Sequence, residues 1–184
     1  GNLSDINLRT LHLSDSINEG HLDIASAGFY NTRTRGMDIR ADVSSLAWQL
    51  PGMTIEPKRP ISLTSRSEDT GSRTTLDNGD LHLLLTTPGS LFSMISELPH
   101  AMEVIQHQAD SMRVDVMALN KAIPRFSLQA DMGKSNFAAQ YLESSGIKLG
   151  GVSALLSNDS LISLNTTVTD IVSGSTRIDT IRLN

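Results

Sequence analysis

Apolar and polar residues alternate through most of this chain, and the period changes only in its middle. Ile6 and Leu8 share one face of a strand and Leu11 and Leu13 the other; the step from Leu8 to Leu11 breaks the period of 2, which marks a bulge or a change of face. Asp15 to Gly20 supplies turn residues, and Leu22 and Ile24 resume the alternation over His21 to Ala27. After a turn from Asn31 to Gly36, Met37, Ile39, Ala41 and Val43 alternate against Asp38, Arg40 and Asp42, as in a strand with one apolar and one wet face. Prolines at 51, 57 and 60 interrupt the chain, and Ile61 and Leu63 make a short strand. The polar run from Ser65 to Asp80 carries turn signals at Gly71 and Asn78-Gly79, and its acid pair Glu68-Asp69 reads as exposed loop. Leu81, Leu83 and Leu85 alternate again.

The spacing then becomes helical. Thr87 suits an N-cap and Pro88 the first helical position. Leu91, Met94, Ile95 and Leu98 form an apolar stripe that Met102 and Ile105 continue beyond Pro99, a residue that kinks or restarts a helix. A second helical piece runs from Val114 to Ala122 and stops at Pro124. Phe126, Leu128 and Ala130 return to strand spacing. Phe137, Ala138, Tyr141 and Leu142 then share one face of a short helix that Gly146 ends. Strands follow over Ile147 to Leu156 and Leu161 to Asp170, joined by a turn at Ser157–Ser160, and Ser175 to Asn184 makes a last strand. The pattern is α+β: one section with residues 1–87 mainly strands, a helical insertion at about 88–123, and strand–helix–strands over 124–184 with the short helix at about 134–145. The sheet is mostly antiparallel.

Composition narrows the function more than the fold. The 184 residues carry a net charge of −5, so nothing draws the chain as a whole to nucleic acid. With no cysteine there is neither a disulfide framework nor a thiolate metal site. Gly133-Lys134-Ser135 matches only the tail of a phosphate-binding loop; the glycine that must stand five residues earlier is Leu128, so the stretch reads as the capped start of a helix. His100, Glu103 and His107 share a helix face, but their spacing is not the i, i+4 pair of helical zinc sites, and a solvated face explains them. No Gly-x-Ser-x-Gly elbow exists. Methionines 94, 102, 112 and 117 follow helical spacing and read as core filler. No catalytic residue, metal ligand or cofactor is expected.

The stretch "IPRFSLQADMGKSNFAAQYLESSGIKLGGVSALLSNDSLISLNTTVTDIVSGSTRIDTIRLN" resembles a segment of TamB-like envelope proteins, the translocation and assembly module family related to AsmA-like proteins. The matching features are a helix ending in apolar-Pro, a short strand, Gly-Lys-x-Asn opening a helix, a glycine-ended helix, a hairpin and a "DTIRLN"-type closing strand. The resemblance covers the region after Pro124; residues before it agree only in style. It implies a section of a longer periplasmic protein, anchored in the inner membrane, whose curved sheet forms an open trough with an apolar lining. Its implied roles are outer-membrane protein assembly with a partner barrel and phospholipid transport, the acyl chains lying along the trough.

On that reading Ile39, Val43, Leu81, Leu83, Ile162, Leu164 and Val168 are candidates for the inner face, with the helices capping or gating it. The competing class is a structural spacer or adhesin-like β domain without lipid cargo. The last strand reads as an edge to be continued by further β-structure, with Arg177, Asp179 and Arg182 as blunting charges and the step from Ile178 to Ile181 as a bulge or change of face.

Overall fold

The computed structural model describes residues 2–7, 19–31, 36–50 and 53–184. Among the described residues the strands are β1 (Asn2–Asn7), β2 (Glu19–Asn31), β3 (Gly36–Leu50), β4 (Met53–Ile55), β5 (Ile61–Glu68), β6 (Gly71–Asn78), β7 (Leu81–Thr87), β8 (Phe126–Met132), β9 (Ile147–Lys148), β10 (Gly151–Asn158), β11 (Ile162–Ser173) and β12 (Thr176–Leu183). The helices are α1 (Leu91–Ser111), α2 (Val116–Ala122) and α3 (Phe137–Ser144). The strands make one open, curved, 12-stranded sheet in the order β1-β2-β3-β5-β6-β7-β8-β10-β11-β12, with β4 beside β3 and β9 beside β11. All its pairings are antiparallel. The step at Leu8, Leu11 and Leu13, the turn residues 15–18 and 32–35, and Pro51 lie outside the described residues.

The largest departure from the sequence pattern is the polar run 65–80. It is a hairpin, not a loop: β5 continues to Glu68 and β6 begins at Gly71. Serine and threonine suit strands when their hydroxyls meet across the ladder, and here they do. Thr64 Oγ1 lies 2.6 Å from Thr75 Oγ1, Ser65 Oγ 2.8 Å from Thr74 Oγ1 and Ser72 Oγ 2.6 Å from Thr87 Oγ1. Glu19 and Gly20 likewise open β2 instead of closing a turn. The strand expected over Ile147 to Leu156 divides into β9 and β10, because Gly150 turns in between and its N–H bonds Thr169 O at 2.7 Å.

The helical insertion begins later than expected. Thr87 stays in β7, its hydroxyl donating to Gly89 O at 2.6 Å, and Ser90 caps α1 by accepting from Ser93 N–H at 3.1 Å. α1 runs continuously through Pro99. It packs against α2 and buries Ala101. Beyond the half-buried Leu91 and Met94 the apolar stripe stays exposed, and the later methionines do not fill a core: Met102, Met112 and Met117 are 61%, 94% and 84% exposed. α3 starts at Phe137 behind the N-cap Asn136, three residues later than its expected start near 134.

Buried asparagines fasten these helices to the sheet. Asn158, at the end of β10, donates to Ile123 O at 2.6 Å and reaches Pro124 O at 3.3 Å, so it holds the C-terminal end of α2. Asn78, at the end of β6, donates to Arg59 O at 2.8 Å and accepts from Phe137 N–H at 2.8 Å, so it holds the start of α3. Both are almost wholly buried, whereas the fully buried apolar side chains among the described residues are only Ile55, Leu81 and Ala101. The chain exposes 12238 Å², against roughly 8,700 Å² for a compact folded chain of its mass. Backbone ladders and local polar clips, more than a sealed core, hold this fold.

Asn158→Ala leaves the half-buried carbonyl of Ile123 and that of the buried Pro124 without this donor and should lower stability by about 1–3 kcal/mol in chemical denaturation. Cleavage within α2 by added protease should accelerate in the same variant, because the clip holds that helix. An unchanged denaturation midpoint and cleavage rate would show that the helix is held by other contacts.

Candidate functional site

Paired residues in a β-ladder stand on the same side of the sheet, so the register sorts the side chains. Ala41, Leu63, Leu76, Leu83, Ala130, Ala154 and Thr166 form one row from β3 to β11. Ile39, Ser65, Thr74, Leu85, Leu128, Leu156 and Leu164 form the next. On the other side stand Asp38, Arg40, Asp42, Thr64, Arg66, Asp77, His82, Gln129 and Asp131. The charged residues fall on one side, where Leu84 and Leu155 also stand, and the unshifted register from β3 to β11 gathers most apolar side chains, with Ser65 and Thr74 among them, on the other.

All seven sequence-predicted residues stand on that surface. Leu81 is buried at one end of it, and Ile39, Val43, Leu83 and Val168 are half-buried. Ile162 and Leu164 are 37% and 44% exposed. The candidates are therefore not sealed beneath the helices. The register adds Leu63, Leu76, Leu85, Leu128 and Leu156 to the same face. Leu76 is hidden in the polar run, because its neighbours on that face are Thr74 and Asn78; the period of 2 running through Ser72, Thr74 and Leu76 is the available signal.

Helical segments close the two ends of the strands and leave the middle rows open. At one end the chain leaves β7 and turns back over the buried row Ser67, Ser72 and Thr87, where Leu91 N–H donates to Ser67 Oγ at 2.9 Å. At the other end α3 packs on β4 and β9. There the loop before α3 docks on the β6–β7 turn. Ser135 N–H donates to Asp80 at 2.9 Å, and Asn136 Nδ2 donates to Asp80 Oδ1 at 2.6 Å. Gly79 has a φ of +64°, and a Cβ there would stand 2.1 Å from Ser135 O, so this close approach needs glycine. The same contact explains Gly133-Lys134-Ser135: the Asp80 carboxylate occupies the amide that a phosphate would use.

At the β12 side, Val168 pairs with Ile181 and Thr166 with Leu183, which carries the apolar face onto β12. Asp170, with φ of +50°, interrupts the alternation of β11 between Val168 and Ile171. Ile171 is the partner of Ile178, so the step from Ile178 to Ile181 falls where the ladder is disturbed, as the spacing implied. Arg177 lies 3.4 Å from Asp170 and 3.9 Å from Asp179.

Among the described residues no group of three His, Asp or Glu side chains is placed to hold a metal ion. His100 and Glu103 share the exposed side of α1, with His100 Nδ1 4.0 Å from Glu103 Oε2. No helix of the described residues is long and apolar enough to cross a membrane. Compared with known proteins, the chain matches no family model, no curated protein and no solved structure. The class that the fold itself defines is an open antiparallel sheet with one half-exposed apolar face, closed by helical segments at both strand ends.

Burial raises the Asp80 carboxyl, but hydrogen bonds from Asn136 and from the backbone N–H groups of Ser135 and Lys134 outweigh it and hold the group below its ordinary value of 3.8. A lowered carboxyl stabilises the fold above its unfolded-state value, and that contribution is lost as pH falls through the lower folded value. The amide protection factor of Ser135 should hold at pH 5 and be lost as pH falls through the lowered Asp80 value, and in Asp80→Asn it should be low throughout. A protection factor that ignores pH in the native chain would remove the carboxylate from this role. Gly79→Ala should lower stability by at least about 1–2 kcal/mol in denaturant titration, from the left-handed backbone alone.

Proposed function

We propose that this chain is a non-catalytic section of a TamB-like protein of the cell envelope, and that its apolar face shelters hydrocarbon. The observation that carries the reading is the half-exposed surface crossing the strands, with a continuous apolar row from Ala41 on β3 to Ala154 on β10. From β3 to β11 it spans six strand spacings, about 29 Å, roughly twice the depth of one leaflet's hydrocarbon. An acyl chain laid there is kept from water at about 0.8 kcal/mol per CH₂. Such a surface needs no nucleophile, general base or metal. It needs continuity, and the aligned rows supply it.

The polar row Ser67, Ser72 and Thr87 at one strand end and the cover of α3 at the other keep an acyl chain from leaving along a strand, so movement runs from strand to strand. In a periplasm-spanning protein that direction links the two membranes. Phospholipid acyl chains are then the cargo, and an outer-membrane barrel of the assembly-module type is the partner, with inner-membrane anchoring supplied elsewhere in the full-length protein. These assignments rest on the resemblance of the region after Pro124 together with the geometry of the face.

Organic extracts of the protein, purified without detergent from a Gram-negative host, should contain phospholipid by mass spectrometry. Leu83→Glu with Leu164→Glu places carboxylates on the open rows and should abolish that co-purification while the far-ultraviolet circular dichroism stays that of the native sheet. A native protein free of lipid would sink the hydrocarbon reading and favour the structural spacer.

A further inference from the structure

The polar side of the sheet carries a feature that the apolar face does not use. Arg66 on β5 and Arg73 on β6 are direct cross-strand partners, and Arg40 on β3 stands diagonally beside Arg66, opposite Thr64. Like charges placed directly opposite each other repel and weaken a ladder. Carboxylates answer only part of this charge. Arg40 Nε lies 2.9 Å from Asp42, while Arg66 lies 3.2 Å from Glu68 and 3.8 Å from Asp38. The Arg73 side chain has neither an ion pair nor a hydrogen bond among the described residues.

The three guanidinium groups border a hollow of about 450 Å³ that Phe29 flanks and that Thr64 and Thr75 line. The two threonine hydroxyls are bonded to each other at 2.6 Å. That bond uses one of their two protons and leaves the other to donate. Asp38 is the one carboxylate in the lining, and Asp42 and Glu68 beside the hollow pair with Arg40 and Arg66, so the uncompensated cation of the hollow is Arg73. Guanidinium forks match the oxygens of phosphate, and the unpaired Arg73 fork, with Arg40 and a threonine hydroxyl proton beside it, offers several donors to one such group.

We propose that this hollow binds a phosphate group, held by Arg73 and Arg40 with the Thr64–Thr75 pair beside it. The phosphate neutralises the opposed Arg66–Arg73 pair. It is presented either free or as the headgroup of a lipid at a membrane surface. The site lies on the face opposite the apolar rows, so it stands or falls independently of the hydrocarbon reading.

The test follows the arginine Nε–H resonances of the labelled protein while inorganic phosphate replaces chloride at constant ionic strength. Co-sedimentation with phosphatidylcholine vesicles, with and without phosphatidylglycerol, forms a second arm. Phosphate should shift the Arg73 resonance saturably in the native chain. Arg73→Gln should weaken phosphate binding, read at Arg40, by about fivefold or more. Without phosphate the same variant should denature at higher denaturant than the native chain, because the opposed charge is gone; a merely structural Arg73 would give the reverse. Asp38→Asn should tighten binding. Arg73-dependent sedimentation with phosphatidylglycerol vesicles assigns the site to a lipid headgroup, and a phosphate response without it assigns the site to a free phosphate. Equal phosphate response in the native chain and Arg73→Gln, or no response in either, overturns the proposal whatever the vesicles do.

Discussion

One register, carried without a shift from β3 to β11, is the constraint on which the rest of this structure depends. A slip of one residue in any of these pairings would move the apolar side chains of a strand to the wet face. Because no pairing slips, leucines far apart in sequence, such as Leu63, Leu83 and Leu156, meet on one side. The turns help to fix the register. The β6–β7 turn uses the left-handed Gly79, and the docked Asp80 clip holds it from outside.

The stability of such a sheet has an unusual distribution. Its centre is a layer with few fully buried apolar side chains, so local polar contacts carry weight that a sealed core would otherwise carry. Asn78, Asn136 and Asn158 are each buried and each joins a helix terminus to a strand end or turn. The arrangement separates two tasks. Polar clips hold the strand ends, and among the described residues no helix packs over the middle of the apolar face. A surface of that kind is unfavourable in water unless something occupies it, which is the physical ground for reading it as a place for hydrocarbon.

The polar face is not simply a solvated back. Asp42 and Asp131 have carboxyls held below the ordinary range, Asp42 mainly by the Ser62 hydroxyl and Arg40, Asp131 mainly by Gln129 and the Ser153 hydroxyl. Against these satisfied acids, Arg73 stands out: it faces Arg66 across the ladder and has no carboxylate partner among the described residues. α1 presents a third kind of surface: Ile95, Leu98, Met102 and Ile105 of its stripe are exposed, and the helix packs mainly on α2.

The sequence by itself determined the class of the fold and one face of the sheet. Period-2 alternation depends only on neighbouring residues, so Ile39, Val43, Leu81, Leu83, Ile162, Leu164 and Val168 were legible as a set. The hairpin over 65–80 was not legible, since serine and threonine read as loop until a partner strand offers hydroxyls opposite them. The cover of the α1 stripe was also undecidable from spacing: amphipathicity says that a face can be buried, not what lies against it. Only the tertiary structure placed α1 beside α2, paired Arg66 with Arg73, and brought Asp80 to Ser135 across 55 residues. Those contacts join residues distant in the chain, and no local period encodes them.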